Sequence, residues 1–180
     1  MTGVDGRARV GGDPFAGLPP VREILVEDVA AAVRRSARRI VVLDDDPTGT
    51  QTVAGVPVLT SWSVEDIRWA LRQDAPAFYI LTNTRSLDAG DAEERDRDVV
   101  RALVEAAGVE HARFVVVSRS DSTLRGHFPL ETDVIAETLE QHAGIDVDGI
   151  VVAPAYVEGG RVTVDSVHWL RTGGTALPVG

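Results

Sequence analysis

The chain has 180 residues, 44% of them hydrophobic, which is sufficient for one globular domain with a buried core. The net charge of −10 argues against binding to nucleic acid or anionic membranes, and no basic patch in the sequence compensates for it. All 18 basic residues are arginine and cysteine is absent, which excludes disulfides, thiolate metal sites, lysine bases and the lysine-containing phosphate loop.

The first 20 residues are rich in Gly and Pro and show no apolar periodicity, so segment 1–20 is predicted to be a flexible leader. The remaining segment, 21–180, is predicted to be one domain. The leader lacks the apolar core of a signal peptide, and no stretch reaches the roughly 18 apolar residues of a membrane span. We therefore expect a cytoplasmic protein that does not bind membranes.

Helical and strand-like patterns alternate along the rest of the chain. Apolar residues at helical spacing predict helices over 22–38, 63–74, 91–108 and 129–144. Short runs rich in β-branched residues predict strands over 40–43, 56–61, 77–83, 113–119 and 149–156, with an exposed strand or hairpin over 161–170. Ser63 is predicted to cap the second helix, and Gly108 to end the third. This order predicts an α/β fold with a parallel, Rossmann-like sheet and helices on both faces.

Ligands of open parallel sheets bind beyond the carboxyl ends of the strands, so the loops that follow the strands are the candidate site. The first loop, "DDDPTGTQ", carries Asp44, Asp45 and Asp46. These aspartates either cap a solvated turn, bind sugar hydroxyls, coordinate Mg²⁺ or act as a general base, because clustered carboxylates raise one another's pKa. Thr48 and Gly49 are expected to let backbone N–H groups approach a ligand closely.

Arginines are spread over the other loops of the same predicted edge. A planar guanidinium binds a carboxylate or phosphate through two parallel hydrogen bonds, so four arginines at one edge favour an anionic ligand. They are Arg85, Arg119, Arg125 and Arg161. His127 is compatible with either a structural role or a binding role.

One alternative rests on the first loop alone. "VVLDDDPTGT" satisfies the signature of haloacid-dehalogenase-like phosphatases, with Asp44 as nucleophile, Asp46 as acid/base and Thr48 in place. However, no downstream acidic pair that would complete the Mg²⁺ site of that family follows residue 120. This makes the phosphatase the weaker interpretation.

Four motifs taken together resemble another family. "LDDDPTGTQTV", "TNTRSLDAGDA", "SRSDSTLRGHFPLE" and "APAYVEGGRVTVDSVHWL", in this order over residues 39–170, are similar to the sugar-binding N-terminal domain of the four-carbon acid sugar kinases. The resemblance implies ATP- and Mg²⁺-dependent phosphorylation of the terminal hydroxyl of a tetronate such as threonate, erythronate or 3-oxo-tetronate. Two positions depart from the family pattern. Ser118-Arg119 replaces a lysine-containing pair, and Val157 replaces a common proline.

The resemblance also implies residue roles. Asp44 and Asp45 would be catalytic, binding or deprotonating the attacking hydroxyl. The implied substrate-binding residues are Asp46, Thr48, Gly49, Arg85, Ser120, Asp121, Ser122, Arg125 and Arg161. The nucleotide-binding domain of the family follows this one, so we expect a domain truncated at its C-terminus that needs a nucleotide-binding partner, in cis or in trans. The alternative is a non-catalytic sugar-acid-binding fragment.

Overall fold

The computed structural model describes residues 17, 19–20, 22–121, 125–173 and 175–179. Nearly all of the predicted leader, residues 1–20, lies outside these ranges. The chain divides into two compact units, one of residues 24–150 and one that groups 151–180 with 1–23. Within the described ranges, none of the helices combines the length and apolar character needed to cross a membrane.

A parallel sheet of four strands forms the centre of the first unit. Its strands are β1 (Arg38–Asp44), β2 (Val58–Leu59), β3 (Ala77–Leu81) and β4 (Arg113–Arg119). The spatial order is β2-β3-β1-β4, so β1 lies between β3 and β4 and pairs in parallel with both. The predicted α/β class and parallel sheet are confirmed.

Four helices are described in the same unit, and each lies close to its predicted position. They are α1 (Val26–Ser36), α2 (Val64–Leu71), α3 (Ala89–Glu110) and α4 (Leu130–Ala143). Ser63 caps α2 as predicted, because its hydroxyl accepts a 3.2 Å hydrogen bond from the Asp66 amide. Gly144 ends α4 in the left-handed conformation, with φ of 62°.

The core of this unit lies between one face of the sheet and the helices α2, α3 and α4. Alternate residues of the strands point into it, as the two-residue period of a strand requires. The largest fully buried apolar side chains are those of Phe78, Ile67, Ile80, Leu103, Val41, Val99 and Val100. Their burial fixes the register of the strands and therefore the place where each strand ends.

Two local predictions are wrong. Gly108 does not end α3, which continues to Glu110 and is capped by His111 with φ of 50°. No strand forms over 149–156: this stretch has no sheet pairing, except for a single bridge from Tyr156 to Arg161. Its β-branched side chains are exposed, Val151 by 92%. An apolar β-branched run therefore does not specify a strand unless a partner edge takes up its hydrogen bonds.

The second unit contains the hairpin predicted over 161–170 and one further strand. An antiparallel sheet is formed by β5 (Arg161–Val164), β6 (Val167–Thr172) and β7 (Thr175–Pro178). The turn between β5 and β6 contains Asp165 and Ser166, both with positive φ, which is typical of two-residue hairpin turns. The strand β7 was not predicted from the sequence.

Candidate functional site

The register of the central strands brings three loops to one edge of the sheet. Asp44, the last residue of β1, is level with Leu81 in β3 and Arg119 in β4. The loops that leave these strands therefore begin side by side. Their charged residues could interact only at this edge, where the sequence analysis placed the candidate site.

A buried ion pair between Asp45 and Arg85 is the centre of this cluster. Arg85 donates from Nε to Asp45 Oδ2 at 3.0 Å and from Nη2 to Asp45 Oδ1 at 2.7 Å, so the guanidinium binds the carboxylate with two parallel bonds. Asp45 is 2% exposed. The third guanidinium nitrogen of Arg85, Nη1, donates to Asp46 Oδ2 at 2.6 Å. One arginine thus neutralises two of the three consecutive aspartates.

The loop after β4 completes the surroundings of Asp45. The Asp121 amide donates to Asp45 Oδ2 at 3.0 Å, and the Ser120 hydroxyl lies 3.4 Å from the same oxygen. Arg119 Nη1 lies 3.4 Å from Asp44 Oδ1 and 3.6 Å from Asp45 Oδ1. The Arg119 side chain is 40% exposed. It is therefore the cation of this group that faces solvent while still contacting the aspartates.

Asp44 is fully buried, and its pKa is shifted in the opposite direction from that of Asp46. Burial raises the pKa of Asp44, and the charges of Asp45 and Asp46 act in the same direction, whereas Arg119 lowers it. Its Oδ2 atom has no hydrogen-bond partner among the described residues. Gly49 lies against this carboxylate so closely that a Cβ atom there would overlap both of its oxygens. Only glycine fits this turn.

Asp46 instead stabilises the turn that follows β1. It accepts hydrogen bonds from the Thr48 hydroxyl and, at 2.7 Å, from the Thr48 amide, and these bonds lower the pKa of Asp46. The Gly49 amide donates to the Asp46 carbonyl oxygen at 3.0 Å. The N–H groups of Thr48 and Gly49, expected to face a ligand, are thus bonded within the turn itself.

The remaining predicted residues are only partly brought together. Arg125 lies beside Asp121, with Nε 2.9 Å from Oδ2, and its side chain is 64% exposed. Ser122 lies outside the described residues. Arg161 is the first residue of β5 in the second unit, so its role in this site stays a prediction.

Backbone hydrogen bonds hold the second loop, "TNTRS", against the first. The Asp44 carbonyl oxygen accepts from the Thr82 amide at 2.9 Å and from the Asn83 amide at 3.2 Å. Asn83 has φ of 54°, and the short 3-10 turn Thr84–Ser86 begins directly after it. The Arg85 amide then donates to the Asp45 carbonyl oxygen at 3.3 Å. Both the main chain and the side chain of Arg85 are therefore bonded to the same aspartate.

Sequence reasoning missed a second polar layer next to this loop. Thr84 donates from its hydroxyl to Glu131 Oε1 of α4 at 2.6 Å, and both residues are buried. Asp96 of α3 is also buried. It occupies the apolar side of that helix between Ala92 and Val99, a position that helical periodicity could have revealed.

His127 has a structural role in this layer. Its Nε2 atom lies 3.1 Å from the carbonyl oxygens of both Thr84 and Leu87. Two carbonyl acceptors require that this nitrogen carries the proton, so the ring holds the loop that contains Arg85.

The cluster combines side chains that accept hydrogen bonds with side chains that donate them. Among the described residues, no group of three or more His, Asp or Glu side chains is arranged to hold a metal ion. What the edge offers is ionised carboxylates, which accept from hydroxyl groups, and guanidinium groups, which donate to anionic oxygens.

Comparison with protein families gives one result for this chain. A family model described as the sugar-binding N-terminal domain matches residues 40–178. This range includes the parallel sheet except for the first two residues of β1, the three loops of the cluster and the hairpin. Comparison with curated proteins gives no significant match.

Proposed function

Because the chain belongs to the family of sugar-binding N-terminal domains, we propose that it is the sugar-acid-binding domain of an ATP-dependent four-carbon acid sugar kinase. The substrate would be a tetronate such as threonate, erythronate or 3-oxo-tetronate, phosphorylated at its terminal hydroxyl. The observation that carries the proposal is the edge where Asp45, held by Arg85, lies beside the half-exposed Arg119.

Arg119 is the proposed contact for the carboxylate of the ligand. Its distances of 3.4 and 3.6 Å to the aspartates are longer than the roughly 2.7–2.9 Å of a charge-assisted hydrogen bond. A guanidinium has five N–H donors, and the two aspartates contact only one of its nitrogens. Arg119 therefore has donors available for a ligand carboxylate, whereas the Arg85 nitrogens are already bonded to Asp45 and Asp46.

The two buried aspartates suit different roles. Asp45 is bonded through both oxygens, so it would orient the ligand. Asp44 has an Oδ2 atom that no described residue bonds and a raised pKa, and both properties suit a group that takes up the proton of the attacking hydroxyl. Because Gly49 lies against this carboxylate, the hydroxyl would reach it only when the turn at Gly49 moves.

ATP and Mg²⁺ are proposed for the complete enzyme and not for this cluster. The described residues offer no group of His, Asp or Glu side chains suited to a metal ion, so no step is assigned to Mg²⁺ here. A nucleotide-binding domain, in cis or in trans, would supply both. Phosphoryl transfer depends mainly on positioning and charge stabilisation. The contribution of this domain would be to hold the acceptor hydroxyl in position.

Calorimetric titration tests the proposal. The chain is titrated with threonate, erythronate and 3-oxo-tetronate, and with the neutral tetritols threitol and erythritol, which lack the carboxylate. We expect one acid to bind and the tetritols not to bind. Arg119→Gln and Asp45→Asn should each abolish binding, whereas Arg101→Gln, on the exposed side of α3, should leave it unchanged. Failure of all three acids to bind to a folded chain would refute the proposal.

The two alternatives differ in their outcomes. A non-catalytic binder would bind the same acid but would not support phosphorylation when a nucleotide-binding domain of the family and ATP are added. The haloacid-dehalogenase-like interpretation is not favoured, because the family match over 40–178 includes the Asp44–Thr48 signature on which it rested.

A further inference from the structure

Three buried polar side chains lie behind the Asp45–Arg85 pair and have no part in the proposed chemistry. They come from three different elements of the first unit. Thr84, of the loop after β3, is 0% exposed, Asp96 of α3 is 2% exposed, and Glu131 of α4 is 3% exposed. Buried acids on separate helices are costly for folding, so their presence requires a physical reason.

Thr84 links this buried layer to the arginine of the site. Its hydroxyl donates to Glu131 Oε1 at 2.6 Å, and its carbonyl oxygen lies 3.1 Å from His127 Nε2. The next residue is Arg85, whose own amide is bonded to the Asp45 carbonyl oxygen. The side chain of Thr84 is therefore the anchor that fixes the start of the turn from which Arg85 extends.

The two acids of this layer influence each other. Glu131 Oε2 is buried and has no hydrogen-bond partner among the described residues. Burial, and next the charge of Glu131, raise the pKa of Asp96 to about 7. Asp45 acts in the same direction from the end of β1, whereas Arg95 of α3 lowers the pKa. Arg95 is also bonded to the Thr82 carbonyl oxygen at 2.9 Å.

We propose that Glu131 is a positioning residue of the sugar-acid site, acting on Arg85 through Thr84, and that the proton on the buried Asp96 sets the charge behind Asp45. This inference rests on the proposed function. With Asp96 neutral, the buried layer carries the charge of Glu131 alone. With Asp96 ionised, a second negative charge lies behind the site and repels an anionic ligand. Affinity for a tetronate should therefore fall as pH rises through neutrality.

The same ionisation changes the stability of the chain without any ligand. The pKa of Asp96 is raised from 3.8 to about 7 in the folded state, so the unfolded chain loses this proton first as pH rises. Stability linked to this group is complete below its unfolded pKa and is lost as pH rises toward about 7. Asp96→Asn, which keeps the shape and stays neutral, should remove this loss.

Thermal unfolding of the ligand-free chain tests the predicted effect of Asp96 ionisation on stability. The midpoints of wild type, Asp96→Asn and Asp98→Asn are compared from about pH 5.5 to about pH 8.5. Asp98 is the matched control, since it lies on the same helix with a 56% exposed side chain. The midpoint of Asp96→Asn should rise above that of wild type as pH increases, and the difference should level off above neutrality. A constant difference, like that expected for Asp98→Asn, would overturn the inference.

Tetronate titrations over the same pH range test the link to the site. Wild type should lose affinity roughly three- to tenfold across neutrality, the effect of one added charge at intermediate range. Asp96→Asn should hold its low-pH affinity throughout. Thr84→Val should weaken binding at every pH, because it removes the hydrogen bond to Glu131 that fixes the turn of Arg85. Tetronate binding that is independent of pH in wild type would overturn the inference and leave the proposed function intact. Absence of binding would refute the proposed function, while the ligand-free profile would still decide whether Asp96 titrates as described.

Discussion

The ion pair between Asp45 and Arg85 should have a large and measurable effect on stability. Asp45 is 2% exposed and the Arg85 side chain 15%, so solvent screens the interaction little. Removing one partner of a buried pair leaves an uncompensated charge and costs about 3–5 kcal/mol. We expect Arg85→Met to lower the free energy of unfolding by this amount. Asp45→Asn should cost less, about 2 kcal/mol, because Arg85 keeps its 2.6 Å bond to Asp46.

A double-mutant cycle separates the pair from its surroundings. In the chain that carries both substitutions, the buried charge of Asp45 is removed together with its partner, so the loss should be smaller than the sum of the single losses by about 1–3 kcal/mol. Urea denaturation followed by far-UV circular dichroism is the assay. All described α-helices lie between residues 26 and 143, so the helical signal reports mainly the unit that contains the pair.

Two further variants make the result decisive. Arg85→Lys keeps the charge but not the two parallel bonds, and should lie between wild type and Arg85→Met. Arg101→Met removes a cation that is 48% exposed and 3.8 Å from Asp98, and should change stability by less than about 0.5 kcal/mol. If Arg85→Met cost less than about 1 kcal/mol, or if the two single losses simply added, the buried pair would not hold the loops together.

Two other substitutions test the turn after β1 and the start of α2. Gly49→Ala should destabilise the chain by about 1–3 kcal/mol in the same denaturation assay, because the new Cβ overlaps the Asp44 carboxylate. Its control, Gly108→Ala, adds a Cβ that meets nothing on an exposed part of α3 and should stabilise the chain by about 1 kcal/mol; equal effects of the two would contradict the close approach. Ser63→Ala should cost about 1 kcal/mol through loss of the cap. It should also raise the lowered pKa of Asp66, since the Ser63 hydroxyl is the largest cause of that shift; an unchanged carboxyl titration by NMR would show that the cap does not hold this charge.

The sequence was most informative where local signals and packing agree. Ser63 and Gly144 define helix ends through side-chain chemistry and backbone conformation, and the strand over 113–119 was predicted to the residue. The stretch 149–156 shows the limit of such reasoning. Its β-branched residues favour a strand, but a strand pairs only where the edge of another strand is available, and the local sequence does not show whether one is.

The sequence predicted which edge of the sheet carries the candidate site, but it did not predict the contacts between the residues of the site. Asp45 and Arg85 are 40 residues apart, and only the parallel register of β1 and β3 explains why they meet. The buried layer was missed because Asp96 is one of several acids in α3, and acids in helices are usually solvated. The position of Asp96 between the apolar residues Ala92 and Val99 was the signal that could have revealed its burial.

The link between α4 and the hairpin buries almost nothing, since residues 144–153 are all exposed. A protease would find its easiest cleavage points there, and mild digestion should cut the chain first between residues 144 and 153. Because its residues are exposed, this link should also tolerate insertions, deletions and substitutions without disturbing the packing on either side. Sequence drift among relatives should therefore concentrate in residues 145–153, whereas Gly144 is needed for the left-handed end of α4.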